Sequence, residues 1–294
     1  MPPLFLLILF QAAPGDYAGA EACGSCHRAE LKAQSSTAHA RALNPAASGS
    51  PQRWAFGAGT QAITFVRRLD PTYYLEEGET WYRALDGYAR TPGHRAAGGV
   101  RDRVFDPSAT ILRCFGCHST GRLRVTEDRG IIPLELGVRC EACHGPAAAH
   151  VRDPNRVRPQ NPARLTADAI NRLCGECHRM PLVESDETSL RNPWNARHQP
   201  LLLAASRCFR ESEGRLSCLT CHRPHEGLET LASKYDAACT ACHTAAPHET
   251  EATGACVGCH MPKVHPQDYL QFSNHRIGVY QPSDPLTPVR RKRR

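Results

Sequence analysis

Aromatic residues make up only 6% of this 294-residue chain, and apolar residues of all kinds 41%. With 22 Gly and 23 Pro interrupting it, such a sequence holds little material for a protein-only core of its size. Long hydrophobic runs are missing too. The most apolar stretch, residues 4–10, is far short of the roughly 20 residues that a membrane-spanning helix needs. No transmembrane span is therefore expected in the mature chain. The run reads instead as the apolar part of a signal peptide over residues 1–13, with Ala12-Ala13 as its cleavage site and Ala18-Gly19-Ala20 as a competing one. The basic residues that normally open such a signal are absent, so either the signal is atypical or the true start lies upstream.

Cysteine is what the chain has in excess, 15 residues, and all but one fall into a single repeated phrase. C-x-x-C-H occurs at Cys23/Cys26/His27, Cys114/Cys117/His118, Cys140/Cys143/His144, Cys174/Cys177/His178, Cys218/Cys221/His222, Cys239/Cys242/His243 and Cys256/Cys259/His260. A lone C-x-x-C is ambiguous between a zinc site, a redox pair and a disulfide. None of these needs a histidine directly after every pair, and only 15 of the 294 residues are His. The phrase is the attachment signal of a c-type haem. Its two thiols reach two vinyl groups of one porphyrin, and the following imidazole takes the iron. The cofactor expectation is therefore haem c, seven copies.

The formal charge of +7 leaves the cofactors out. A bis-His ferric haem with both propionates ionised carries about −1 and the ferrous form about −2, so a loaded chain would sit near neutral when oxidised and at about −7 when reduced. The many arginines then read as propionate partners, not as a nucleic-acid footprint. The basic end Arg290-Arg291-Lys292-Arg293-Arg294 reads as a solvated tail.

Each porphyrin brings a large apolar face, so the expected fold is mainly α with much irregular loop, its core built from seven stacked c-type haems. Between the first two motifs, over residues 44–111, the composition shifts. Residues 62–69, 72–75 and 79–84 are rich in β-branched and aromatic side chains and are separated by Asp70-Pro71, Glu77-Gly78 and Asp86-Gly87. This predicts a small β-meander insert near residues 54–90. Helices are expected over residues 29–42, near 166–173 and over 198–208. The Pro-rich stretch 154–162 divides the chain. One haem lobe, residues 14–165, carries the insert; a second, 166–280, carries four motifs; a polar basic tail, 281–294, follows.

Tyr17-Ala18-Gly19 ahead of the first motif, with Ser35-Ser36-Thr37-Ala38-His39-Ala40 after it, resembles the amino-terminal part of multihaem cytochromes of the c-552/c-554 type. Residues 114–121, residues 137–146 with His150, residues 218–225, and residues 259–263 with His265 and Asn274-His275-Arg276-Ile277 continue the resemblance over roughly residues 16–280. It is weak in the β insert. The resemblance implies that His39 is a distal iron ligand to a haem other than the one its own segment attaches.

Eight histidines lie outside the motifs. His39, His94, His150, His225, His265 and His275 are the distal-ligand candidates, with His198 and His248 behind them, and the sequence does not say which serves which iron. Cys208, the fifteenth cysteine, reads as a buried inert thiol. Two functional readings stay open. In the first, mostly bis-His haems carry electrons between redox partners, a quinol-linked membrane complex or other cytochromes. In the second, one open iron acts on a small nitrogen or sulfur compound. The chain has no C-x-x-C-K, the mark of nitrite-reducing relatives, and no catalytic residue is assigned. Covalent c-haem attachment takes place outside the cytoplasm, so a periplasmic or exported location is expected.

Overall fold

The structure, a computed structural model, describes residues 14–46, 52–70, 73–92, 103–105, 109–179, 190–243 and 254–289. Its largest element is an antiparallel sheet. Strands β1 (Leu43–Pro45), β2 (Arg53–Phe56), β3 (Ala62–Asp70), β4 (Tyr73–Tyr82) and β5 (Gly87–Arg90) follow one another as a meander, and β6 (Arg103–Phe105) pairs with β4. The register sets Trp81 of β4 opposite Ile63 on one side and Tyr88 on the other. Such aromatic and β-branched pairs are what stabilise a pleated surface. Two register shifts along β3 and β4 add local twist.

The sheet is held by its own hydrophobic cluster. Leu43, Phe56, Val66 and Tyr74 pack on Ile111 and Phe115 of α3 (Ala109–His118), with Ile131 beneath. Ile111 and Phe115 lie four residues apart, hence on one helix face. Phe115 stands edge-on to Trp54, Phe56 and Tyr74 at ring separations of 5.2, 5.1 and 5.9 Å. The Tyr74 hydroxyl accepts a hydrogen bond from the backbone N of Ile131 at 2.7 Å.

The other attachment motifs ride on short helices: α1 (Ala20–Gly24), α4 (Cys140–His144), α6 (Ala167–His178), α9 (Cys218–Cys221), α10 (Asp236–Thr240) and α11 (Cys256–His260). Between them run α2 (Arg28–Ser35), α5 (Ala148–Arg152), α7 (Gln199–Ala204) and α8 (Arg207–Arg210), the two-stranded pairs β7 (Ser119–Thr120) with β10 (Glu135–Leu136) and β8 (Arg124–Val125) with β9 (Ile131–Ile132), and the hairpin β11 (Lys263–Gln267) and β12 (Leu270–Ser273). A second cluster, Ala196, Leu202 and Val264, joins that hairpin to α7. The hairpin also touches the large sheet. Gln61 Nε2 donates to the Gln271 carbonyl at 2.9 Å, and Gln267 Nε2 donates to the Tyr82 hydroxyl at 3.1 Å.

These findings correct the expected fold class. The fold is not mainly α: β3 and β4 have 9 and 10 residues, against 4 to 6 for most attachment helices. The sheet runs from Leu43 to Phe105, beyond the insert expected near residues 54–90. Nor does a core of seven stacked haems appear as the organising body, because the buried side chains gather in protein clusters. The reason lies in residues 43–131, where sheet and α3 supply each other's apolar partners.

The helix expected over residues 29–42 stops at Ser35. Ser36 and Thr37 turn their hydroxyls back to the carbonyls of Ala33 and Gln34 at 2.7 Å each, competing with the helical ladder. The run expected over residues 198–208 breaks at Ser206, whose hydroxyl bonds the carbonyls of Leu202 and His275 and accepts from Ile277 N. The helix expected near residues 166–173 is α6, capped by Thr166, whose side chain accepts from Ala169 N, and extended through its own motif.

Tyr74→Phe would leave the buried N–H of Ile131 without a partner. It should cost about 1–3 kcal/mol, read as a lower urea midpoint with the slope unchanged.

Candidate haem-binding cavity

Five residues of helix place a C-x-x-C-H phrase on a single turn. The backbone N of His27, His222 and His243 donates to the carbonyl of Cys23, Cys218 and Cys239 at 2.8, 2.9 and 2.9 Å. Both sulfurs and the imidazole of a motif then share one side of one turn. All 15 cysteines are free thiols, so no pair is spent on a disulfide.

Residues of all seven motifs line one connected cavity of about 4310 Å³, several times the roughly 300–1,000 Å³ of an ordinary small-molecule pocket. Across it, imidazoles face one another. His27 faces His150 with ring centres 6.4 Å apart, His178 faces His39 at 5.9 Å, His144 faces His225 at 5.9 Å, and His222 faces His275 at 6.2 Å. Each pair joins a motif histidine to one outside the motifs. A metal about 2.0–2.1 Å from each ligating nitrogen, with the ring radii added, would set the centres roughly 6 Å apart.

The other ring nitrogen is held as well. Nδ1 of His118, His144 and His260 sits 2.9, 2.8 and 2.8 Å from the carbonyls of Ala42, Gln160 and Gly278. Nδ1 of His150 and His275 likewise sits 2.7 and 3.0 Å from the carbonyls of Val157 and Ser273, and that of His178 lies 3.1 Å from Gln199 Oε1. A carbonyl accepts only from N–H, so the proton is on Nδ1 and the Nε2 lone pair is free. Burial, with neighbouring imidazoles, also pushes the pKa values of His39, His118 and His222 down, and that of His275 to about 4. Neutral imidazole is the form that binds a metal.

The fit to haem rests on donor number. Among the described residues no group of three or more His, Cys, Asp and Glu side chains converges on one point. An ion held by two opposed imidazoles must take its remaining ligands from a macrocycle. Burial also pushes the Cys23, Cys143 and Cys239 thiols up to about 11, away from the thiolate form that zinc requires. Arg179 ends α6 with a left-handed φ of 58°, and it and Arg197 line the cavity. Burial and Arg179 together lower the pKa of Arg197, a setting that suits an anionic group.

Of the other histidines considered from sequence, His94 and His248 lie outside the described residues. His265 is exposed on β11, next to buried Val264, and is not among the residues that line the cavity. His198 does line it, and burial, then Arg179 and Arg197, push its pKa to about 4. Cys208 is half-buried on α8, near Cys221 and Cys242. Sequence reasoning missed Glu141, Gln199 and Gly137. Glu141 is buried and accepts from the backbone N of Ala18, Gly19 and Ala147 at 3.0, 2.8 and 2.7 Å. Nothing in the spacing marks these three, because their partners lie in other segments.

Residues 94–145 match the family described as cytochrome c554 and c-prime. The chain resembles the multihaem c-type cytochromes. Over 143 residues it is 26% identical to the multihaem cytochrome MtrA of Shewanella baltica, a match covering 45% of this chain and 37% of that relative. The match therefore spans well under half the relative's length. Among solved structures, the outer cell wall cytochrome OcwA shares the fold with a TM-score of 0.60 at 16% identity, over 92% of this chain and 81% of that one. An undecahaem cytochrome from the S-layer of Carboxydothermus ferrireducens covers 81% of this chain and 44% of its own at 19% identity, with a TM-score of 0.49. This likeness suggests electron transfer with haem c as cofactor. No helix among the described residues is long and apolar enough to cross a membrane.

Gly137 ties the His39 turn to the motif of α4. It has φ +77°, and an added Cβ would collide with the Ala40 carbonyl oxygen, while the next residue's N, that of Val138, donates to the His39 carbonyl at 2.8 Å. Gly137→Ala should cost about 2–4 kcal/mol, combining left-handed strain with overpacking. A fall in melting temperature and an altered chemical shift of the His39 ring would show both effects.

Proposed function

We propose that this chain is a heptahaem carrier of electrons between redox partners outside the cytoplasm. The observation that carries the reading is the set of four imidazole pairs facing across a cavity that all seven attachment motifs line. The bound group supplies a reversible one-electron Fe(III)/Fe(II) couple. The chain's residues hold it and close its axial positions. Each motif's two cysteines tether, and His27, His118, His144, His178, His222, His243 and His260 are the proximal ligands. His150, His39, His225 and His275 take the distal positions opposite His27, His178, His144 and His222. Hydrogen bonds from Nδ1 fix the orientation of the rings and raise their basicity. For the sites of His118, His243 and His260, the distal position falls to His94, His198 or His248, of which His198 lines the cavity.

The partners are a quinol-linked membrane complex or other cytochromes, and the location is periplasmic or exported. Supporting this are the need for c-haem attachment outside the cytoplasm and the printed titles of two similar structures, which name an S-layer and an outer cell wall.

A second reading is favoured by one specific observation. Among the described residues no imidazole is paired with His118 or His243, and His118 instead meets the edge of Phe56 at 5.3 Å. An iron left open there would act on a small nitrogen or sulfur compound.

The protein purified from an exporting host should carry seven haems by pyridine haemochrome absorbance and intact mass; a chain without covalent haem overturns the proposal. His39→Ala, His150→Ala, His225→Ala and His275→Ala should each convert one low-spin ferric signal to a high-spin one that cyanide shifts, while His265→Ala leaves the spectrum as it was. A high-spin signal in the unaltered protein that moves on adding nitrite would favour the second reading.

A further inference from the structure

The attachment motifs touch one another in a definite order. Three attachment helices have N-terminal N–H groups bound by a side chain from another attachment helix. The backbone N of Cys218, first residue of α9, donates to Asn171 Oδ1 of α6 at 3.0 Å, and the Cys218 thiol donates to the same oxygen at 3.1 Å. The backbone N of Cys256, first residue of α11, donates to Asp236 Oδ1 of α10 at 2.9 Å. Ahead of α1, the N–H groups of Ala18 and Gly19 donate to Glu141 of α4. The first N–H groups of a helix have no partner within it, so each such bond locks one motif against another. In agreement, α1 packs on α4, α6 on α9, and α10 on α11. Asn171 and Glu141 are buried, which leaves their oxygens no water to turn to.

The sulfurs supply the remaining links. Cys177 contacts Cys117, and Cys174 contacts Cys218. Cys143 lies close to Cys174, and Cys221 close to Cys239. Cys23 meets Cys140, and Cys239 meets Cys256, repeating two of the helix pairs. The motif of α6 thus adjoins three others, whereas those of His27, His118 and His260 adjoin one each.

We propose that the seven attachment sites form a branched chain, not a line, with the Cys174/Cys177/His178 site as its junction. One arm runs through the His144 site to the His27 site. A second runs through the His222 and His243 sites to the His260 site. The third is the His118 site alone. The arms end differently. His27 and Cys259 are exposed, whereas the His118 arm is backed by the large sheet through Ile111 and Phe115. The molecule has two ends open to partners and one internal end, and traffic between the open ends must pass the junction. Glu141, Asn171 and Asp236 are the positioning residues that hold neighbouring sites together. This inference rests on the reading that every motif carries a haem.

The test is the holo-protein structure by electron cryomicroscopy, with every iron located. Seven irons, three of them nearest neighbours of the one at His178 and one each beside those at His27, His118 and His260, would bear the inference out. Seven irons in an unbranched line would overturn the inference and leave the carrier reading standing. An empty motif would overturn that reading and the inference with it. A solution measurement adds a role for Asn171. In a spectropotentiometric titration, Asn171→Leu should weaken the redox interaction between the His178 and His222 sites and leave that between the His27 and His144 sites unchanged. A lower melting temperature with the potentials unmoved would reduce Asn171 to a structural residue and overturn its positioning role.

Discussion

Everything in this structure turns on neutral imidazoles whose second nitrogen is already engaged. A histidine with Nδ1–H given to a carbonyl has only one thing left to offer, a lone pair, and the fold aims several of these into a space that the protein does not fill. Leaving a buried acceptor unmet is costly. The backbone carbonyls of Ala42, Gln160, Val157, Ser273 and Gly278 belong to five different segments, so the cavity is held by the whole chain. Sheet, hairpin and short helices are a frame for placing carbonyls and rings.

Two kinds of packing share the labour. The sheet and α3 make a conventional apolar cluster, and it explains why residues 43–131 form regular structure despite the low aromatic content of the chain. The second half has little such material. Its helices are four to six residues long, apart from α6, and too short to be stable alone. They are set by cross-bonds such as those of Asn171, Asp236 and Ser206, and by the covalent cross-linking that the motifs propose.

Legibility followed the range of each interaction. The C-x-x-C-H phrases are local, so residues such as Cys140, Cys143 and His144 could be read directly, and so could β3 and β4 from their β-branched and aromatic content. The pairing of His150 with His27, or His225 with His144, joins residues far apart in the chain, and only a resemblance pointed toward any of it. His265 shows the converse. Lying between a motif and Asn274-His275, it looks like a ligand in sequence, yet strand alternation turns Val264 inward and His265 outward. The fold class was misjudged because a low apolar fraction averaged over the whole chain concealed a well-packed sheet concentrated in one third of it.

Glu141 occupies one of the two positions inside a C-x-x-C-H phrase that the attachment chemistry leaves free, and its carboxylate holds the backbone of residues 18 and 19, more than 120 positions earlier. For a chain made from its amino terminus, the first motif emerges long before the residue that seats it. Cys23 and Cys26 must therefore wait as an unfolded, accessible segment until residue 141 has been exported. Attachment at the first site need not compete with folding, since the step that would bury it has been deferred to the third.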